Sequence, residues 1–146
     1  IIVDQDRAVN NYTFKEISIG MEEHFNRKID KKDIETFANL TGDFNPLHVD
    51  KNFFKEHNFK KPVVHGLLVN SFISTLLGMH LPGKYCLILS IESMMKNPCY
   101  EGDILTVRGK VVDKIESLNV IIIKNNIENQ DGKLIQSGKA YVKLLK

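Results

Sequence analysis

The stretch "GLLVNSFISTLLGM" (residues 66–79) limits the possible folds more than any other part of the chain. Apolar residues reach nearly all the way round its helical projection, so the helix it predicts belongs in a core. Its exceptions are small: Asn70, Ser71, Ser74, Thr75 and Gly78. Positions 70, 74 and 78 form one ridge at i+4 spacing, where another backbone or a ligand can come close.

What must cover such a helix follows it. "KYCLILSIESMMKN" reads as a long strand stopped by Pro98. "DILTVRGKVVDKI" alternates, with Leu105, Val107, Gly109 and Val111 on one side and Thr106, Arg108 and Lys110 on the other. "LNVIIIKNNIEN" is dense in β-branched residues, Asp131-Gly132 marks a hairpin turn, and "KLIQSGKAYVKLL" closes the chain. Short connections favour antiparallel pairing. The predicted class is α+β: one curved antiparallel sheet wrapped around a central helix, in a single domain of 146 residues. A chain of that length buries about two-thirds of its unfolded surface.

Ahead of the helix the signals are shorter. Residues 1–12 show no period and are expected to be loosely ordered. "TFKEISI" reads as a short strand and "GMEEHFNRKI" as a second extended piece. In "DKKDIETFANLTGD", Asp30 suits an N-cap and Asp33 the first turn. Ile34, Phe37, Ala38 and Thr41 share one face, and Gly42 is the expected left-handed stop. The crossing "FNPLHVDKNFFKEHNFKKPVVH" reads as largely irregular, with one helical turn near residues 52–57. Its five apolar anchors, Phe44, Leu47, Phe53, Phe54 and Phe59, argue that it is ordered.

Bulk properties exclude several classes. A net charge of +2, from 20 basic and 18 acidic side chains, lacks the basic stripe of a nucleic-acid binder. No run reaches the roughly 20 apolar residues that span a bilayer. No signal peptide stands at the start, although a chain opening on Ile1 leaves room for a leader before it. A cytoplasmic location is the expectation. Cys86 and Cys99 match no metal or redox spacing and read as reduced thiols.

Two decoys can be set aside. "GMHLPGKY" fits part of a phosphate-binding loop, but Tyr85 stands where magnesium needs Ser or Thr. The order helix, loop, strand is also reversed. It reads as a helix end followed by a turn. His48, Asp50, His57 and His65 cluster in sequence without metal-ligand spacing, so no metal is expected. No G-x-S-x-G elbow is present either.

In "TGDFNPLHVD", turn chemistry accounts for Gly42, Asn45 and Pro46. It does not account for Asp43 and His48 together, a carboxylate and an imidazole at a fixed offset that can exchange protons. In "KKPVVHGLLVN", Gly66 opens the buried helix with no Ser, Thr, Asp or Asn directly ahead. Its free N–H groups suit negative charge, and Gly66 lets a ligand oxygen approach. Close packing of Gly66 against a strand is the alternative.

Together these segments resemble the MaoC-like, (R)-specific enoyl-CoA hydratases (the hydratase 2 enzymes) of hot-dog fold. "FANLTGDFNPLHVD" matches their G-D-x-N-P-x-H signature, and "KPVVHGLL" follows in the same order. The likeness runs from about Phe14 to the last strand. It implies a homodimer or higher homo-oligomer, sheets joined edge to edge, with acyl tunnels near the interface. The substrate is an acyl-CoA or acyl-carrier-protein thioester, and no cofactor is implied. The implied reaction is reversible hydration of a trans-2-enoyl thioester to the (R)-3-hydroxyacyl thioester, with 3-hydroxyacyl dehydration as the reverse. By the same resemblance, Asp43 and His48 hold the water. Asn45 braces the loop within the substrate site, Gly66 N–H receives the thioester oxygen, and Ser74 corresponds to a serine near the acyl chain. Lys60, Lys61 and Lys84 are candidates for the carrier's phosphates. The alternatives are a non-catalytic acyl-thioester-binding module, which has no need of the Asp43/His48 pair, and a thioesterase, which carries its acid on the central helix. Here that helix holds no Asp or Glu.

Overall fold

The computed structural model describes residues 7–146. Five strands form one antiparallel sheet: β1 (Glu22–Lys28), β2 (Cys86–Met95), β3 (Ile104–Ile115), β4 (Val120–Glu128) and β5 (Leu134–Leu144), in the spatial order β1-β3-β4-β5-β2. Helices α1 (Lys31–Thr41), α2 (Pro46–Val49), α3 (Lys51–Glu56) and α4 (Gly66–Thr75) lie between β1 and β2. The chain thus leaves one edge of the sheet, builds all its helices, and returns at the opposite edge. The alternation of β3 is as expected: Leu105, Val107 and Val111 are buried against the helical layer. Register shifts between Ile88 and Ser90, and between Val111 and Asp113, bend the strands.

Helix α4 is the core element. Leu68, Val69, Ile73, Leu76 and Leu77 are buried with Ile121, Ile123, Val142 and Leu144 of the sheet. Gly109 shows how close the two layers come, since a Cβ there would stand 2.8 Å from Leu76 Cδ2. The expectation of burial all round needs correction. Leu67 is 65% exposed, and Ser71 and Ser74 are exposed on the same flank. Beyond Thr75 the helix widens into a π-turn, Leu76–His80, and the "LPGKY" segment is a turn, as the helix-end reading required.

Three other expectations change. "TFKEISI" is not a strand but a short 3-10 turn, Phe14–Glu16, closed by a capping box between Thr13 and Glu16. Phe14 and Ile17, three apart, are both buried, which is turn spacing rather than alternation. The crossing is more regular than predicted. Asn45 starts α2, and Asp50 caps α3 by accepting from the N–H groups of Asn52 and Phe53. Of the first dozen residues, 1–6 lie outside the described residues. Residues 10–12 are tied down: Asn10 N–H donates to Met79 O at 3.0 Å and Tyr12 N–H to Pro82 O at 3.3 Å. Among the described residues, no helix is long and apolar enough to cross a membrane.

Candidate active site

Helix α1 ends where the sequence says it should. Asp30 Oδ1 accepts from Asp33 N–H at its start, and Gly42 terminates it with φ 78°. Asp43 emerges directly after this left-handed residue. Its carboxylate Oδ1 accepts the N–H of Asn45 at 3.1 Å, an Asx turn that fixes the side chain over its own loop. Asn45 Oδ1 in turn accepts Leu47 N–H at 3.0 Å and caps α2. Pro46 occupies the first helical position, where its missing N–H costs nothing. His48 rides on this single turn. Asn45 thus caps α2, and its side-chain oxygen is engaged there.

His48 is locked by tertiary contact. Its Nδ1 donates to Val63 O at 2.6 Å, and Val63 N–H donates back to Leu47 O at 3.3 Å. Because a carbonyl can only accept, Nδ1 carries the proton of the neutral ring and Nε2 keeps its lone pair. One carboxylate oxygen of Asp43, one ring nitrogen of His48 and one ring nitrogen of His65 lie within 4.8 Å of one another. No direct hydrogen bond joins Asp43 to His48 among the described residues. That spacing admits a single water bonded to both, since each leg needs about 2.8 Å.

A pocket of about 340 Å³ leads to this point, lined by His48, Phe59, Gly66, Val69, Met95 and Cys99 among others. Its character is apolar, as an acyl chain requires. Asp43 is exposed and is not among the lining residues. Gly66 opens α4 at the pocket wall, and no side chain caps that helix start. Gly66 lines the pocket and is also closely packed, since a Cβ there would stand 2.5 Å from Met95 Sδ. Burial pushes the Cys99 thiol up to about 12, with the Asp103 carboxylate adding to the effect. It is protonated at neutral pH and is no nucleophile.

Ser74 is not gathered with the others. It sits exposed on the α4 flank and does not line the pocket. The three lysines also separate. Lys60 and Lys61 border a second pocket of about 460 Å³ with Lys133, and this pocket shares Pro98 with the first. Lys84 instead packs its ammonium over Tyr85, beside the Asn10 segment.

Two buried polar residues hold no place in the site that the sequence predicts. His65, only 1% exposed, enters the sequence reading as one of the clustered residues without metal-ligand spacing. Its nearness to both Asp43 and His48 arises from chain crossing and has no signature in spacing. Gln136, 3% exposed, donates from Nε2 to Gly66 O at 2.8 Å and steadies the first turn of α4. Its signal was available: Gln136 falls in the core-facing register with Ala140, Val142 and Leu144.

The family model for the MaoC like domain matches residues 14–130. The chain is 34% identical to the (R)-specific enoyl-CoA hydratase of Aeromonas caviae over 128 residues, covering 88% of this chain and 96% of that protein. It is 30% identical to a mitochondrial 3-hydroxyacyl-[acyl-carrier-protein] dehydratase of Arabidopsis thaliana, over 67% of this chain and 58% of that one. The solved structure of R-hydratase PhaJ1 from Pseudomonas aeruginosa superposes with a TM-score of 0.88 at 29% identity, covering 93% of this chain and 87% of that one.

Proposed function

The chain belongs to the MaoC-like domain family, and from that premise we propose that it is a hydro-lyase for the reversible, (R)-specific hydration of trans-2-enoyl-CoA to (R)-3-hydroxyacyl-CoA. One observation carries this reading. A carboxylate oxygen of Asp43 and a ring nitrogen of His48 converge within 4.8 Å, and the apolar pocket reaching His48 also reaches the bare start of α4.

The chemistry needs three things: a water held by proton acceptors, a proton for Cα, and a donor for the developing enolate oxygen. Asp43 and His48 hold the water between them. As its oxygen bonds to Cβ, the π electrons of the double bond move toward the thioester oxygen. The pair takes up the water's proton and returns one to Cα. Their roles belong to the coupled unit rather than to either residue. A positioned acid–base group of this kind contributes 10²–10⁴-fold. Gly66 N–H, at the positive end of α4, receives the thioester oxygen as it gains charge. Such a donor is worth on the order of 3 kcal/mol.

The edge strand supports a homodimer. β2 ends the sheet, with no strand on its outer side among the described residues, and its Leu87, Leu89 and Met94 are exposed. Such an edge calls for a partner strand. β1, at the opposite edge, alternates exposed polar and charged residues and is the guarded one. Pairing β2 with β2 of a second copy also brings a partner toward the α4 flank that carries Ser74. Carrier phosphates would meet Lys60, Lys61 and Lys133. The Arabidopsis relative keeps acyl-carrier-protein thioesters as a second reading of the substrate.

The test follows the loss of enoyl-thioester absorbance with crotonyl-CoA. The parent turns over, and Asp43→Asn loses 10²–10⁴-fold in kcat. Asn keeps an Oδ1 for the Asn45 N–H, so the Asx turn and the unfolding midpoint survive. A D43N variant as fast as the parent overturns the mechanism. The same assay across chain lengths on both carriers decides CoA against acyl carrier protein.

A further inference from the structure

One buried side chain touches both members of the proposed acid–base pair without belonging to it. His65 immediately precedes Gly66 in the chain. Its Nε2 donates to the backbone carbonyl of Asp43 at 2.9 Å. Its ring stacks on His48 with centroids 3.9 Å apart and planes 27° from parallel, and Phe37 packs against it at 4.9 Å. His65 is therefore bonded covalently to the residue that presents the oxyanion donor, bonded by hydrogen to the backbone of the carboxylate, and in face contact with the imidazole.

We propose that His65 is the positioning residue that sets the spacing between the Asp43/His48 pair and the Gly66 helix start. This rests on the hydratase reading above. The other bonds that anchor Asp43 are local. Its N–H donates to Thr41 Oγ1 at 3.2 Å and its carboxylate accepts from Asn45 N–H at 3.1 Å. These shape the loop but do not say where the loop sits against α4. Among the hydrogen bonds of Asp43, the one from His65 reaches across to α4. The stack does the same for His48, whose ring is held edge-on by Val63 and face-on by His65.

The choice of residue points the same way. The Asp43 carbonyl only accepts, so His65 Nε2 carries the proton and Nδ1 keeps its lone pair. That Nδ1 is buried with no hydrogen-bond partner among the described residues. A phenyl ring could stack between Phe37 and His48 without burying an unpartnered ring nitrogen, and would leave only the carbonyl of the exposed Asp43 without its donor, so packing alone does not call for histidine. The donor does.

The experiment compares His65→Phe and His65→Gln with the parent, measuring kcat and KM on crotonyl-CoA, the unfolding midpoint, and amide exchange across residues 42–48. H65F keeps the rings packed and removes the donor. It is expected to unfold no earlier than the parent, and to lose about 100-fold in kcat with KM within about threefold, the pattern of misplaced groups rather than lost affinity. Its loop amides exchange faster. H65Q places an amide N–H where Nε2 stood, and is expected to recover at least about tenfold of that loss and to return exchange to the parent rate. Should H65F not fold, H65L removes the same donor with less volume. A parent-like kcat in H65F, or equal losses and equal exchange in both variants, overturns the proposal. Exchange is read without turnover, so it still decides the role of the hydrogen bond if crotonyl-CoA proves not to be a substrate.

Discussion

His48 Nδ1 donates to the carbonyl of Val63 at 2.6 Å, and beside it Val63 N–H donates to the carbonyl of Leu47 at 3.3 Å. The loop that carries His48 is thereby fastened to the segment that leads into α4. Val64 continues the seam, donating to Cys99 O at 2.8 Å in the crossover from β2 to β3. The site is held by this seam of three chain segments, and its weak points can be named.

Asn45 is the first. Asn45→Ala removes the oxygen that caps α2 and costs about 1 kcal/mol of stability. The helix has one turn, so losing its cap also frees His48. We expect kcat to fall roughly 100-fold with the midpoint only slightly lowered, as for a small misplacement of a reacting group. Asn45→Asp keeps the cap and should retain most of the rate. Steady-state kinetics of the two variants check this; equal rates for N45A and N45D would remove the cap from the argument.

Gly66 is the second. An added methyl would meet Met95 at 2.5 Å from Sδ and 2.9 Å from Cε, the far end of a flexible side chain. Met95 yields before backbone does, and it yields into the pocket it lines. Gly66→Ala should slow kcat about tenfold, less than loss of a full oxyanion donor, with a smaller change in KM. Met95→Ala in the same chain relieves the contact but leaves the methyl beside the N–H, so the double variant should stay slow. Full recovery would mean that crowding by Met95 was the whole effect, and an unchanged kcat in G66A would take Gly66 out of the oxyanion role.

The third concerns how α1 is held to β1. Asp33 meets Arg27 in a two-pronged pair, 2.7 Å to Nη2 and 3.1 Å to Nη1, and accepts Asp30 N–H at 3.0 Å. Burial is the largest single influence on Asp33 and opposes its charge. The Arg27 and Asp30 bonds together outweigh it and hold the carboxyl below its ordinary value. A depressed carboxyl contributes stability above its unfolded value, and that contribution is lost as pH falls through the folded one. Arg27 is 40% exposed, so solvent screens the pair and the effect is small. Unfolding midpoints of the parent and Asp33→Asn should differ most near neutrality and converge as pH is lowered through and below the ordinary aspartate range. Parallel curves across that range would show that the pair adds no pH-dependent stability.

Some of this was legible because its causes are local. Asp30 and Gly42 bound α1 through bonds to residues three or four positions away, so a linear reading finds them. The alternation of β3 and the hairpin at Asp131-Gly132 are local in the same sense. The G-D-x-N-P-x-H run encodes an Asx turn, a cap and a proline start, which place Asp43 and His48 on one loop whatever lies beyond it. The capping box at Thr13 and Glu16 is equally local, and the reading of "TFKEISI" as a short strand misses it.

The chain alone therefore determined the bounds of α1, the alternation of β3 and the loop carrying the two ionisable groups, because each depends on caps, turns or side-chain spacing within a few residues. Tertiary structure decided what that loop faces. The placing of β2 at the far edge, the exposed flank of α4 with Leu67 and Ser74, and the meeting of Asp43, His48 and His65 all depend on which distant segments pack together. Such contacts come from burial of surface between elements far apart in sequence. Apolar burial has no direction along the chain, so no spacing records it.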